Sequence, residues 1–162
     1  MSLGLAFSWQ SVPMSPASAG SVLVPIVVPT STTKPDTSPL VTIGTTKIKV
    51  DLATTTATFK KGLSGRPSLA SDTGLLFIFK TADIYQFWMP DMHFPIDIIW
   101  INNGKVVDVD ENATNIFDPK HPVFYRPSSA ARYVLEVNAG FFKKHGLKIG
   151  DKVQLQNIQP RL

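Results

Sequence analysis

Ile96-Asp97-Ile98-Ile99-Trp100-Ile101-Asn102-Asn103-Gly104-Lys105-Val106-Val107-Asp108-Val109 is the stretch on which the fold turns. Two β-rich runs flank Asn103-Gly104. Asn-Gly in that setting favours a type I′ turn, whose backbone twist suits the strands it joins. The stretch therefore predicts a β-hairpin. Its first arm is apolar except for Asp97, which becomes the first residue whose presence needs explaining.

Downstream of the hairpin, 112–129 is a long, polar, proline-bearing loop, a length that points to function or flexibility. Arg132-Tyr133-Val134-Leu135-Glu136-Val137 reads as a strand. Asn138 to His145 predicts a short helix capped by Asn138, with Lys143 and Lys144 facing its C-terminal dipole and Gly146 after it. A strand over 151–158 closes the domain. Upstream, Tyr85-Gln86-Phe87-Trp88-Met89 reads as a strand, and Gly74-Leu75-Leu76-Phe77-Ile78-Phe79 as a buried one, apolar on both faces. Thr54 to Lys61 predicts a second short helix, stopped by Gly62. Two short strands, 41–43 and 47–52, flank Gly44. Short strands with turn signals between them predict a mainly β domain: a small antiparallel β-sandwich or barrel-like domain with two short helices.

Residues 1–40 have a different composition, with Pro13, Pro16, Pro25, Pro29, Pro35 and Pro39 among Ser, Thr and Val. Proline at this density removes backbone donors and opposes regular structure. The segment reads as a flexible tether or a processed leader, and 41–162 as the domain. Ser21–Val28 could pair as an edge strand, where Pro25 would be tolerated. Leu3–Trp9 and Ala17-Ser18-Ala19 resemble pieces of an export signal, yet the first basic residue is Lys34, so a basic n-region is missing. A trimmed signal and a non-native leader both remain open.

The chain of 162 residues carries 16 Lys+Arg against 12 Asp+Glu, a net charge of +4. The basic residues are scattered, without a long run or a stripe interleaved with aromatics, so nucleic acid is not an expected partner. The absence of cysteine excludes disulfides, zinc-thiolate sites, iron–sulfur clusters and thiol nucleophiles. No stretch reaches the roughly 20 apolar residues that span a bilayer.

Four blocks in order carry a family resemblance: Gly62-Leu63-Ser64-Gly65-Arg66; Gly74 through Phe79; Phe87-Trp88-Met89 with Pro95-Ile96-Asp97-Ile98-Ile99; and Tyr133-Val134-Leu135-Glu136-Val137 with Ala139-Gly140, Gly146-Leu147 and Gly150-Asp151. From about Thr42 onward the chain resembles the domain-of-unknown-function 192 family, also called UPF0127. The resemblance implies a mainly β fold and a small secreted or membrane-tethered protein of bacterial or archaeal type. It brings no assigned activity. Two departures stand out. The family usually follows Phe-Trp-Met with Lys-Asn-Thr, where this chain has Pro90-Asp91-Met92. A methionine is usual at the position of Ser64.

Asp97 and Glu136 are carboxylates inside apolar strands. Burying an unpaired carboxylate costs several kcal/mol, so each needs a partner. Arg66 and Arg132 are candidates, since a guanidinium matches a carboxylate with two hydrogen bonds. Together the two acids could form a glycosidase-like pair if they faced one cleft. Asp91, His93 and Asp97 have a loose metal-like spacing, but Phe94-Pro95 interrupts it, and no metal or cofactor is expected. Asp108-Val109-Asp110-Glu111-Asn112 opens like a calcium loop and then fails, with Ala113 where glycine is needed and Pro119 in place of the bidentate glutamate. Gly62-Leu63-Ser64-Gly65 lacks the second glycine of a nucleophile elbow, because Arg66 occupies that position. Among the aromatics, Trp88 and Tyr125 are the candidates for an exposed stacking surface.

These residues predict a non-catalytic binding or interaction module outside the cytoplasm, with a membrane tether as one option. Its partner would be a small molecule, a saccharide or an envelope protein. Candidate ligand contacts are Arg66, Trp88, Asp91, His93, Asp97, Tyr125 and Glu136. The alternative is a hydrolase of cell-envelope polysaccharide using Asp97 and Glu136. The residues alone do not decide whether the protein is an enzyme.

Overall fold

The hairpin forms as its sequence dictates. Strands β4 (Ile96–Asn102) and β5 (Lys105–Ala113) pair antiparallel. They are joined by Asn103 and Gly104, with φ of 48° and 68°. Both values are positive, as a type I′ turn requires. The structure is a computed structural model that describes residues 37–158. The tether reading therefore lies outside the described residues except at 37–40, and Ser21–Val28 lies outside them altogether.

The remaining strands are β1 (Leu40–Ile43), β2 (Thr46–Ala53), β3 (Thr73–Asp83), β6 (Ala131–Asn138) and β7 (Val153–Gln156). They form one seven-stranded sheet in the order β5-β4-β6-β3-β2-β1-β7. All neighbours run antiparallel except β2 and β3, which pair parallel, with Leu52 opposite Leu76. The sheet curls until its two edges meet at one end, where Lys105 bridges Lys152. There Val106 N–H donates to Asp151 O and Gly150 N–H to Val106 O, at 3.0 and 2.8 Å. The result is a half-barrel, the barrel-like form of the expected mainly β domain.

The central strands β3, β4 and β6 are buried on both faces, which explains their near-continuous apolar sequences. Side chains alternate across the sheet. Ile99, Ile101, Leu135 and Val137 belong to one core, completed by Phe141 and Phe142 of helix α2 (Phe141–Lys144). Ile96, Ile98, Trp100 and Val134 belong to a second core on the other face, with Leu63, Met89 and Met92. Phe59 of helix α1 (Thr56–Lys61) packs against this second core.

Both short helices form, one with a different cap. Helix α1 starts at Thr55 through a capping box. Thr55 Oγ1 accepts from Thr58 N–H, and Thr58 Oγ1 accepts from Thr55 N–H at 2.9 Å. Asn138 does not cap α2. Its side-chain amide donates to Leu69 O at 3.0 Å, and the cap position is Gly140 in the left-handed conformation. The segment 85–89 is not a ladder strand either. It makes one isolated bridge, Phe87 to Tyr125, with two backbone hydrogen bonds of 2.8 and 2.9 Å. That bridge ties the chain before the 90–95 turn to the long loop after β5.

Candidate functional site

Register settles the geometry of the two buried acids. Asp97 lies opposite Val137, whereas Glu136 lies opposite Ile98 and Leu75. They therefore project from opposite faces of the sheet. The glycosidase-like pair needs both groups across one cleft, so the hydrolase built on Asp97 and Glu136 does not form.

Asp97 is fully buried, and its partners are backbone amides rather than arginines. Oδ1 accepts from Asn112 N–H and Gly140 N–H, at 2.9 and 3.0 Å, and Oδ2 accepts from Phe142 N–H at 2.9 Å. Three charge-assisted bonds replace the lost hydration. The carboxylate caps α2 in place of Asn138 and holds Asn112, whose φ is 54°. Asp97 is thus a structural fastener between β4, the end of β5 and α2. Arg66 pairs instead with Asp51 at 2.9 Å. Arg132 Nε donates to Phe79 O at 3.4 Å, with its guanidinium carbon 5.7 Å from the centre of the Tyr133 ring.

Glu136 is in the contrary situation. It is 5% exposed, and its Oε2 is buried without a hydrogen-bond partner. Burial pushes the carboxyl up to about 8, against the opposing pull of the Arg66 guanidinium. The Glu136 side chain lines a cavity of about 270 Å³, walled by Phe59, Phe77, Phe79, Tyr85, Phe87 and Trp88, with Leu63, Met89 and Met92 beside them. Lys60 and Lys61, in the last turn of α1, stand at the same cavity. Gly62 leaves the space over the carboxyl open. A Cβ there would stand 3.8 Å from Glu136 Oε2 and 3.5 Å from the Phe77 ring. Its φ of 49° and ψ of −131° also belong to glycine.

The walls are held by one another. Phe79 stacks on Tyr85 with centroids 3.6 Å apart, Phe59 tilts against Phe79 at 4.9 Å, and Phe87 meets Phe77 edge-on at 4.9 Å. Two hydroxyls beside the cavity are already engaged. Ser64 Oγ donates to Pro90 O and Tyr85 Oη donates to Thr81 O, both at 2.8 Å. At the surface, Trp88 is 52% exposed and packs on Phe124 and Phe117.

Of the residues singled out from sequence, the cavity gathers Glu136 and Trp88. Tyr125 is half-buried behind it, its hydroxyl accepting from Thr114 N–H at 3.0 Å. Asp91 and His93 sit in the turn before β4, 3.8 Å apart. Asp97 is on the far face, so these three do not converge. Arg66 and Asp91 line a neighbouring polar hollow with Asp51 and Ser64. Sequence reasoning missed Phe59, Phe77, Phe79 and Gly62 as cavity residues. The phenylalanines look like core, and Gly62 looks like a helix stop. The available signal was Glu136, an acid in a strand with no arginine in register.

The DUF192 family, described as an uncharacterized ACR, matches residues 40–155. No curated protein matches the chain. Among solved structures, one from Sinorhizobium meliloti 1021, described as a proposed transcription regulator, aligns with a TM-score of 0.66 at 28% identity, over 75% of this chain and 95% of the other. A protein of unknown function from Novosphingobium aromaticivorans DSM 12444 aligns with a TM-score of 0.64 at 32% identity, over 71% of this chain and 83% of the other. The match runs from the first residue of β1 to Leu155 in β7, and the chain belongs to the DUF192 family.

Proposed function

We propose that this protein is a non-catalytic binding module that takes a small, largely apolar ligand in the aromatic cavity, with Glu136 meeting the ligand's polar group. The observation that carries this reading is the unpartnered Glu136 Oε2 at an apolar, aromatic-walled cavity. A buried polar group without a partner is costly, and a fold keeps one where it has a use. Ligand sites are largely apolar concavities with a few placed polar groups. Interlocked rings provide such a wall with little left to order on binding. Binding is favoured over turnover because, among the described residues, no second acid lines the cavity with Glu136, and the Ser64 and Tyr85 hydroxyls there are occupied.

The module would work outside the cytoplasm, held by residues 1–40. The proline-rich composition of that segment suits a tether. The role described for the Sinorhizobium meliloti protein finds little support in this chain. Among the described residues, the helices α1 and α2 have six and four residues, too short to read a major groove as recognition helices do.

The test is native mass spectrometry of protein purified from its own cells, beside the variant Glu136→Leu. A small bound mass present in the first and missing from the second is expected. Identical bare spectra, together with no shift in melting temperature across a fragment library, would sink the reading.

A further inference from the structure

We propose that the ligand group meeting Glu136 is an organic ammonium: the cavity takes an amine on a short apolar stem. This rests on the binding reading above and names its chemistry. Glu136 offers a carboxyl with an open oxygen. An ammonium fills it with charge-assisted hydrogen bonds, the strongest kind available to such a group. The walls select the same sign of charge. Phe59, Tyr85 and Phe87 line the cavity, and the negative face of an aromatic ring attracts a cation, whereas Phe79 is packed between Tyr85 and Phe59. An anionic ligand would meet those faces and the carboxyl together. A neutral alcohol could bond Glu136 but would gain no cation–π attraction from the rings. At about 270 Å³ the space is at the small end for ligand pockets, which limits the stem to roughly one ring or a short chain.

The charges around Glu136 fit this assignment. Arg66 lies on the segment after α1 and is already paired with Asp51. Lys60 and Lys61 are exposed, so their flexible stems can carry the charge into solvent. Asp91, the acid on the neighbouring turn, faces Gly65, where an added Cβ would stand 3.4 Å from its carboxylate. Gly62 keeps open the space an ammonium would enter.

The test compares three probes of one shape by calorimetry on the full chain near neutral pH: benzylammonium, benzyl alcohol and benzoate. Benzylammonium is expected to bind about tenfold or more tightly than the other two, the size of a desolvated cation–π and ion-pair contribution. Its binding is expected to release close to one proton per ligand, measured by repeating the titration in buffers of different ionisation enthalpy, because Glu136 must ionise to receive it. Glu136→Gln, which keeps the shape, should erase both the preference and the proton release. Alcohol or benzoate binding as tightly as the ammonium, or ammonium binding without proton release, would overturn the assignment and leave a binding cavity standing. Binding by none of the three would overturn the assignment and count against the binding reading as well.

Discussion

Asp97 and Glu136 look alike in sequence, each an acid between aliphatic neighbours, and they behave oppositely. Asp97 is solvated by three backbone amides. In Asp97→Asn one oxygen becomes an NH₂ that faces an amide donor. Loss of a charge-assisted bond plus that donor–donor clash should destabilise the fold by about 2–4 kcal/mol. An unchanged urea midpoint would refute the fastener role. Glu136 has no such support. Its carboxyl keeps its proton up to about 8 when folded but releases it near the ordinary value of 4.5 when unfolded. Between those values the unfolded chain binds fewer protons, so stability falls as pH rises, and it levels off above about 8. Glu136→Gln should flatten that slope, making the variant progressively more stable than the wild type across the window from 4.5 to about 8. Parallel stability curves for the two proteins would show that Glu136 is not the group responsible. The sequence revealed that both acids needed an explanation. It could not show which was satisfied, because the amides that solvate Asp97 come from residues 15, 43 and 45 positions away.

At the scale of elements, what could be read from sequence was what is local. The Asn103-Gly104 turn and the stop at Gly62 follow from backbone preferences of single residues. The cap of α2 was misread because an asparagine at the right distance was available, and a buried aspartate from β4 took its place. The 85–89 segment has strand composition but finds only Tyr125 to pair with, since β6 is already flanked by β3 and β4. The two departures from the family pattern also prove to be one feature. Ser64 Oγ donates to Pro90 O, and Gly65 N–H donates to Asp91 O at 2.9 Å. So the segment after α1 is fastened to the turn before β4, directly beside the cavity. Helix α1 itself has no buried residue and depends on its capping box. Thr55→Ala should therefore cost about 1 kcal/mol. Amides of α1 should then exchange hydrogen faster while those of β3 and β6 stay protected. Uniform loss of protection would mean that α1 is not a separate local unit.

For the molecule as a whole, mainly β character was legible and the curl was not. Alternation and turns announce strands, but the parallel β2–β3 pair and the meeting of β5 with β7 depend on contacts far apart in sequence. Where the domain starts is a case in point. A boundary at residue 41 followed from the change in composition, yet Leu40 pairs with both Lys49 and Gln156, and Pro39 O accepts from Val50 N–H at 3.1 Å. The strand that receives both β2 and β7 thus begins at the edge of the proline-rich segment. The described residues 37–158 by themselves supply two packed cores and the closure at Lys105 and Lys152. A fragment of those residues should then melt within a few degrees of the full chain. A fragment beginning at Thr42 would lack the first half of β1, including Val41, which is fully buried. Losing a buried valine and two ladder positions should cost about 2–4 kcal/mol, which for a domain of this size lowers Tm by roughly 10 °C or more. Circular dichroism melts of the three chains decide the matter. If the longer fragment melts as low as the shorter one, the domain draws stability from residues before 37, and the tether reading fails.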